Sequence, residues 1–123
     1  MSIRILVVDD TELNLKMVSA ILLKDGYEVV TAQNGLEALK VIKSTPPALA
    51  ILDVMMPDMD GYELCRKLRQ PPLKASMPIV MLTAMNSDME KQLAQEAGAN
   101  DIWSKPFDMD TFRRHIGELL KAS

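Results

Sequence analysis

The feature that most constrains the fold of this 123-residue chain is a fivefold alternation of short apolar runs with longer amphipathic segments. The runs have the length of strands, and the segments between them have the length of helices. Such alternation is typical of a parallel sheet, because parallel strands need a long crossover, usually a helix, to connect them. Most runs are continuously apolar, as expected when helices cover both faces. We therefore predict an α/β fold with three layers, α/β/α, containing a five-stranded parallel sheet and five helices in one domain over residues 1–123.

Apolar spacing and turn residues give the expected boundaries. The predicted strands occupy residues 3–8, 27–31, 48–52, 78–82 and 100–103. The predicted helices lie after Asp10, after Asn34, over about 62–68, before Gly98 and from Asp108 onward. Apolar positions at helical spacing are expected to face the core, and they include Met17, Leu36, Met89, Leu93 and Met109. Most of the ten methionines are accordingly interpreted as core residues, with Met55 and Met85 as exceptions.

Composition and charge exclude several classes of protein. A net charge of −3 argues against direct binding of nucleic acid or of an anionic membrane, which needs a basic face. No apolar stretch reaches the ~20 residues that span a bilayer, and the first strand begins too early for a signal peptide. The single cysteine, Cys65, forms no internal disulfide, so we expect a cytoplasmic protein.

Four of the apolar runs end in residues that carry chemistry. Asp9 and Asp10 follow the first, Asp53 the third, Thr83 the fourth and Lys105 the fifth. The ends of parallel strands converge at one edge of the sheet, where open α/β proteins bind ligands. We expect these five side chains to surround one pocket.

Three carboxylates in one pocket repel each other unless a cation lies among them. Mg²⁺ suits such a pocket, because it prefers one or two carboxylates together with water and phosphate oxygens. Lys105 adds a fixed positive charge and Thr83 a hydroxyl donor, so the pocket suits a small oxyanion. Asp53 is then placed to act as a nucleophile on phosphorus.

The same residues resemble a known family. The chain is similar, over nearly its whole length, to the receiver domain of response regulators in two-component and phosphorelay signalling. The matching motifs are Val7-Val8-Asp9-Asp10, Asp53 with Met56-Pro57 and Asp60-Gly61, Leu82-Thr83-Ala84, Gly98-Ala99 and Lys105-Pro106-Phe107. The resemblance implies a flavodoxin-like sheet with strand order 2-1-3-4-5.

The resemblance also implies a role for each residue of the pocket. Asp53 corresponds to the phosphoacceptor. Asp10 and Asp53 correspond to direct Mg²⁺ ligands, together with the backbone carbonyl of Met55, and Asp9 to an acid that acts through water. Thr83 and Lys105 correspond to the hydroxyl and the ammonium that contact the phosphoryl oxygens; the peptide bond between Lys105 and Pro106 is expected to be cis.

A receiver of this kind takes its phosphoryl group from a partner. The resemblance implies a sensor histidine kinase or a His-containing phosphotransfer protein as donor, and a downstream protein that binds the face formed by helix 4, strand 5 and helix 5. A homodimer is compatible with the family. Apart from its own phosphorylation and slow dephosphorylation, no enzymatic activity is expected.

Three positions bear on how such a switch works here. Receivers usually carry Tyr or Phe three residues before the lysine, whereas this chain has Ile102, followed by Trp103, which is interpreted as a surface or helix-packing aromatic. Met55 and Met85 lie two residues after Asp53 and Thr83, and neither side chain orients an attacking water. We therefore predict a long-lived phosphoaspartate.

The sequence also allows other interpretations. One is a phosphate-independent interaction module, favoured only by Ile102. Another is a receiver cut from a larger multidomain regulator. A phosphatase is disfavoured because neither Asp9-Asp10-Thr11 nor Asp53-Val54-Met55 supplies the Asp-x-Asp that such enzymes carry after the first strand. A nucleotide-binding enzyme is disfavoured because no glycine-rich phosphate-binding motif is present. His115 is interpreted as a solvated residue on the last helix, and Asp58 and Asp60 as loop acids that cap a helix.

Overall fold

The computed structural model describes residues 2–73, 75–85, 87–105 and 108–122. Strands and helices alternate through these residues as predicted. The strands are β1 (Arg4–Val8), β2 (Glu28–Ala32), β3 (Leu49–Asp53), β4 (Ile79–Thr83) and β5 (Asp101–Ser104). The helices are α1 (Glu12–Lys24), α2 (Gly35–Ser44), α3 (Gly61–Arg69), α4 (Asp88–Ala97) and α5 (Met109–Ala122).

The five strands form one parallel sheet in the order β2-β1-β3-β4-β5. This confirms the predicted fold class and the strand order that the resemblance implied. All strands start at one edge, called here the amino edge, and end at the other, called the carboxyl edge. The central strands β3 and β4 are buried at every position, which explains their continuously apolar sequences.

Two apolar clusters cover the two faces of the sheet and make the three layers. On one face α1 and α5 contribute Leu15, Leu22 and Phe112. On the other, the buried residues of α2, α3 and α4 pack against the inward side chains of β1, β3 and β4. The free thiol of Cys65 is buried in this second cluster and donates a hydrogen bond to the carbonyl of Ala97 at 3.3 Å. Its burial raises the pKa of Cys65 to about 11, so the thiol behaves as an inert core group.

The observed strands are shifted by about one residue from the predicted ones. Strand β2 extends to Ala32, which pairs with Val8, and β5 extends to Ser104, which pairs with Thr83. A strand ends where its backbone stops pairing with its neighbour, and the apolar pattern of a single run does not contain that information.

The interpretation of most methionines as core residues is confirmed only in part. Met55 and Met85, the two exceptions, are exposed. Of the other described methionines, Met56 and Met81 are buried and Met59 and Met77 pack, partly buried, against the core, whereas Met17, Met89 and Met109 are exposed although they were expected to face inward. Leu36 and Leu93, also expected to face inward, are exposed as well. Leu36, Met89 and Met109 lie in the first turns of α2, α4 and α5, near the carboxyl edge. Helical periodicity indicates which side of a helix faces the sheet, but it does not show where the sheet ends.

Side-chain caps fix where the helices begin. Asn34, Asp60 and Ser87 accept a hydrogen bond from the backbone N–H three residues later, at the starts of α2, α3 and α4. Asp108 accepts the N–H of Thr111 at 2.9 Å, as predicted for the last helix. Asp60 is therefore a cap, whereas Asp58 lies in the preceding loop with a φ of 68°. Among the described residues, no helix has both the length and the apolar character needed to cross a membrane.

Candidate functional site

The polar strand ends meet at the centre of the carboxyl edge. Asp53 ends β3, Thr83 ends β4, and Asp9 directly follows β1, which pairs with β3. Their exposed fractions are only 5%, 2% and 3%, whereas Asp10 is exposed. One carboxylate oxygen from each of Asp9, Asp10 and Asp53 lies within 4.8 Å of the others. The structure thus brings together the three acids that the sequence placed at one edge.

Lys105 enters this pocket from the end of β5. Its Nζ donates a hydrogen bond to Oδ1 of Asp53 at 2.8 Å and lies 3.5 Å from Oδ2 of Asp9. The other oxygen of Asp9 accepts the backbone N–H of Thr11 at 2.9 Å, which fixes the orientation of that carboxylate. Asp53 is therefore hydrogen-bonded to an ammonium and has two further carboxylates close by.

Burial and crowding set the electrostatics of the pair formed by Asp53 and Lys105. The pKa of Asp53 is raised, first because burial disfavours its charge and then because Asp9 and Asp10 repel it, although the Lys105 hydrogen bond opposes the shift. Burial also disfavours the charge of Lys105, but its hydrogen bond to Asp53 and the charges of Asp53 and Asp9 together raise its pKa. The lysine stays charged, and the carboxylates still carry excess negative charge.

The donor set fits a hard divalent cation. Three carboxylates offer oxygen atoms close enough to share one ion, and the exposure of Asp10 leaves room for coordinated water. A cation there would relieve the repulsion that raises the pKa of Asp53. The side chain of Met55 is 74% exposed, and the role of its backbone carbonyl as a ligand stays a prediction.

Gly61 allows the third helix to begin close to Asp53. A Cβ at this position would lie 2.5 Å from the backbone oxygen of Asp53, so any side chain would push the start of α3 away. The N–H of Gly61 donates to the carbonyl of Val54 at 3.0 Å and closes the loop between β3 and α3. The Asp60-Gly61 motif therefore combines a helix cap with a close approach of two backbones.

A cavity of about 420 Å³ lies between α1 and the pocket. Asp9, Ala84 and Lys105 line it from the carboxyl edge, and Asn14, Met17 and Val18 line it from α1. The small side chain of Ala84, beside Thr83, contributes to this open space.

The hydroxyl of Thr83 is hydrogen-bonded to Glu90, a residue to which the sequence assigned no role. The hydroxyl donates to Oε1 of Glu90 at 2.9 Å and accepts the N–H of Met85 at 3.2 Å. The hydroxyl of Tyr62 also lies 3.5 Å from the same Glu90 oxygen. The pattern Ser87-x-x-Glu90 is a helix-capping signal, and it predicts a local role for Glu90 but no contact with Thr83.

Three further sequence expectations concern β5 and α5. Trp103 packs against α5, with ring centroids 5.7 Å from Phe112 and 5.2 Å from His115, so the helix-packing interpretation of Trp103 is confirmed. The interpretation of His115 as a solvated residue is wrong, since it is half-buried against Trp103. The expected cis bond between Lys105 and Pro106 lies outside the described residues.

The amino-acid sequence is similar to those of known proteins. The sequence matches the family described as "Response regulator receiver domain" over residues 5–117. It is 42% identical, over 100% of its own length and 50% of the relative's, to the alkaline phosphatase synthesis transcriptional regulatory protein PhoP of Bacillus subtilis. It is 44% identical to the response regulator PleD of Caulobacter vibrioides, over 88% of this chain and 24% of PleD. The chain thus spans half the length or less of these two curated relatives.

Solved structures show the same fold. The chemotaxis protein CheY4 of Vibrio cholerae superposes with a TM-score of 0.91 at 34% identity, covering 97% of this chain and 99% of CheY4. A response regulator described as putative, from Chloroflexus aurantiacus, superposes with a TM-score of 0.92 at 39% identity, covering 98% and 99%. Both resemblances extend over the whole sheet and all five helices.

Proposed function

Since the chain belongs to the response regulator receiver domain family, we propose that Asp53 accepts a phosphoryl group in a Mg²⁺-dependent reaction and that its phosphorylation changes which proteins the chain binds. Receiver domains are signalling modules rather than enzymes acting on external substrates. The observation that carries the proposal is the environment of Asp53, a buried carboxylate 2.8 Å from Lys105 with two more carboxylates beside it.

Receiver domains generally bind Mg²⁺ at an acidic pocket, and the acids of this chain fit that ion. Asp10 and Asp53 would hold it directly, with the carbonyl of Met55, and Asp9 would contact it through water. When bound, the ion neutralises carboxylate charge and polarises the oxygens of the incoming phosphoryl group. Asp9 has little freedom to move, because Thr11 and Lys105 already hold its two oxygens.

The transfer uses three side chains of the pocket. A carboxylate oxygen of Asp53 forms a bond to phosphorus while the bond from phosphorus to the donor's histidine nitrogen breaks, and the released imidazole takes up a proton. Lys105, which already contacts Asp53, and the hydroxyl of Thr83 would stabilise the charge on the phosphoryl oxygens. Positioning and charge neutralisation are the main contributions a protein makes to such a step.

The partners follow from the family. The donor is a sensor histidine kinase or a His-containing phosphotransfer protein. The output surface is the face of α4, β5 and α5, where a downstream protein or a second copy of the chain would bind, with no direct contact to nucleic acid. Residues 1–123 would act as one receiver unit, and a cytoplasmic location stays a prediction of the sequence.

Intact mass after incubation with acetyl phosphate and Mg²⁺ tests the proposal. We expect a gain of one phosphoryl group in the wild type and none in Asp53→Asn, which cannot form the acyl phosphate. Omission of Mg²⁺ and the variant Asp10→Asn should both slow the gain at least tenfold, because metal ions supply several kcal/mol of charge stabilisation. Trp103 fluorescence, followed in parallel, reports whether β5 and α5 respond.

A second candidate function is a phosphate-independent interaction module. The specific observation in its favour is Ile102, which is buried at the position where the family usually has an aromatic switch residue. No mass gain in the wild type, while a control receiver is modified in the same tube, would favour this module.

The lengths of PhoP and PleD support a further proposal, that a chain like this works as part of a larger regulator.

A further inference from the structure

We propose that Glu90 is a positioning residue that competes with the phosphoryl group for the hydroxyl of Thr83, so that phosphorylation of Asp53 releases Glu90 and moves the first turn of α4. The inference rests on the proposed phosphorylation of Asp53. It assigns to Glu90 and Tyr62 the signalling step that an aromatic side chain at position 102 would otherwise perform.

The competition follows from the single proton of the Thr83 hydroxyl. A hydroxyl donates one hydrogen bond, and here the shortest contact of Thr83 Oγ1 is to the Glu90 carboxylate at 2.9 Å. The alternative acceptor, the carbonyl of Met85, lies at 3.2 Å and is uncharged. A bond to an ionised acceptor is the stronger of the two. Thr83 cannot donate to a phosphoryl oxygen and to Glu90 at the same time.

Loss of the Thr83 bond would leave Glu90 poorly paired in a half-buried place. Its Oε2 is buried and has no hydrogen-bond partner among the described residues. Its Oε1 would keep only the Tyr62 hydroxyl, at 3.5 Å, which is long for a hydrogen bond. A carboxylate in that position gains by moving, either toward Tyr62 or out to solvent, because a buried oxygen without a partner costs free energy.

Tyr62 is suited to be the second partner. It is only 8% exposed and lies in the first turn of α3, which packs against α4. Burial and then the nearby Glu90 carboxylate raise the pKa of Tyr62 to about 12, so its hydroxyl keeps its proton and stays a donor at neutral pH. Glu90 is therefore placed between a donor on β4 and a donor on α3.

The side chain at position 102 cannot perform the signalling step that we assign to Glu90 and Tyr62. Ile102 is 5% exposed, carries neither a ring nor a hydroxyl, and is stiff at χ1. Glu90, in contrast, lies in the first turn of α4, so its movement changes the backbone of an element on the proposed output face. The backbone bond from the Lys91 N–H to the Ser87 carbonyl, 3.0 Å long, closes that turn and reports its state.

The test compares Glu90→Ala with Asp88→Ala, which removes an equal charge from the same helical turn without touching Thr83. Glu90→Ala frees the hydroxyl of Thr83. Asp53 in this variant should therefore gain the phosphoryl group from acetyl phosphate about tenfold faster than in the wild type, as expected for a lost charged hydrogen bond. Asp88→Ala should match the wild type. Equal rates for the two variants would overturn the proposal.

A second variant tests the contact without any phosphate. Thr83→Val keeps the shape of the side chain and removes the hydroxyl, so Glu90 should be released in the unphosphorylated protein. Amide hydrogen exchange at Glu90 and Lys91 should then rise about tenfold. In the wild type, phosphorylation should raise the same two rates, and in Glu90→Ala it should not raise the rate at Lys91.

The two proposals fail in different ways. If the wild type gains no phosphoryl group, the proposed function is wrong, while Thr83→Val still decides whether the hydroxyl holds α4. If the wild type is phosphorylated but exchange at Lys91 is the same in Thr83→Val, Asp88→Ala and the wild type, the role of Glu90 is wrong and the proposed function stands. Circular dichroism of each variant shows that it is folded.

Discussion

The two edges of the sheet differ in how completely their polar side chains are paired. At the amino edge, Arg69 uses four donor contacts. It donates to the carbonyls of Gly98, Ala75 and Met77 at 2.9, 2.8 and 2.7 Å, and to Oδ1 of Asn100 at 2.9 Å. The same Asn100 oxygen accepts the N–H of Ile79 at 2.8 Å.

At the carboxyl edge the pairing is incomplete. Lys105 contacts two carboxylates, Asp9 and Asp53, and Asp10 adds a third to the cluster. The pKa of Asp53 is raised by burial and then by its acidic neighbours, despite the hydrogen bond from Lys105. Nearby, a buried oxygen of Glu90 lacks a hydrogen-bond partner among the described residues.

The difference separates a structural role from a functional one. At the amino edge Arg69 and Asn100 are hydrogen-bonded within the chain, an arrangement that suits stabilisation of the fold. At the carboxyl edge three carboxyl groups share the one ammonium of Lys105, so the bound cation and phosphoryl group that we propose would improve the pairing there. Substitutions at the two edges should therefore affect different measurements.

Removal of the Arg69 side chain should have the largest effect on stability. Arg69→Ala leaves two part-buried carbonyls, those of Ala75 and Met77, and two exposed acceptors without their donor, so the free energy of unfolding should fall by about 3 kcal/mol. Arg69→Lys keeps the charge but cannot reach four acceptors, and should give an intermediate loss. Urea denaturation followed by circular dichroism measures both.

The matching substitution at the carboxyl edge should leave stability nearly unchanged. Asp53→Asn removes the bond from Lys105 but also reduces the crowding of carboxylates, so its unfolding free energy should stay within about 1 kcal/mol of the wild type. A loss in Asp53→Asn as large as that in Arg69→Ala would contradict the distinction between the edges.

Met85 offers a smaller, kinetic test at the carboxyl edge. It is 71% exposed and lies two residues after Thr83, and as a thioether it cannot activate water. Met85→Glu should shorten the lifetime of phosphorylated Asp53 about tenfold, below the usual contribution of a well-placed general base. Intact mass after removal of acetyl phosphate follows the decay.

The control for Met85 is Met89→Glu, which adds the same charge at another exposed methionine in the first turn of α4. Its lifetime should equal that of the wild type. A lifetime of seconds in the wild type itself, with Mg²⁺ present, would show that the two methionines do not protect the phosphoaspartate.

The smallest effect concerns Asp25, which ends α1 and forms an ion pair with Arg113 of α5 away from the carboxyl edge. The hydrogen bond from Arg113 lowers the pKa of Asp25. A carboxyl with a lowered folded-state pKa contributes stability above its unfolded pKa and loses that contribution as the pH falls through the folded value.

This contribution of Asp25 should be complete at neutral pH and should be lost progressively as the pH falls below about 4 and through the lowered folded-state pKa. Asp25→Asn should therefore be less stable than the wild type at pH 7 and should approach it in acid, with a difference of a few tenths of a kcal/mol because the pair is partly exposed. Thermal unfolding across that range measures it. A difference that does not change with pH would mean that the ion pair does not stabilise the protein.

The sequence predicted both the fold class and the residues that meet at the carboxyl edge. Asp9, Asp10, Asp53, Thr83 and Lys105 were found because each follows a strand, and parallel strands deliver their ends to one place whatever the details of packing. The strand order came from the resemblance to receivers, since alternation alone fits several orders. The assigned roles of these residues stay predictions.

Only the tertiary structure decided which side chains complete that edge and which helix faces remain exposed. Glu90 meets Thr83 and Tyr62, and Arg69 meets Asn100, because α3 and α4 pack against each other, with α3 against β3 and α4 against β5, at a particular height along the sheet. Hydrophobic periodicity fixes the rotation of each helix but not its position along the sheet. For this reason it predicted that Met89 and Met109 face the core, whereas both are exposed. Contacts between residues far apart in the chain depend on that position, and local sequence signals do not carry it.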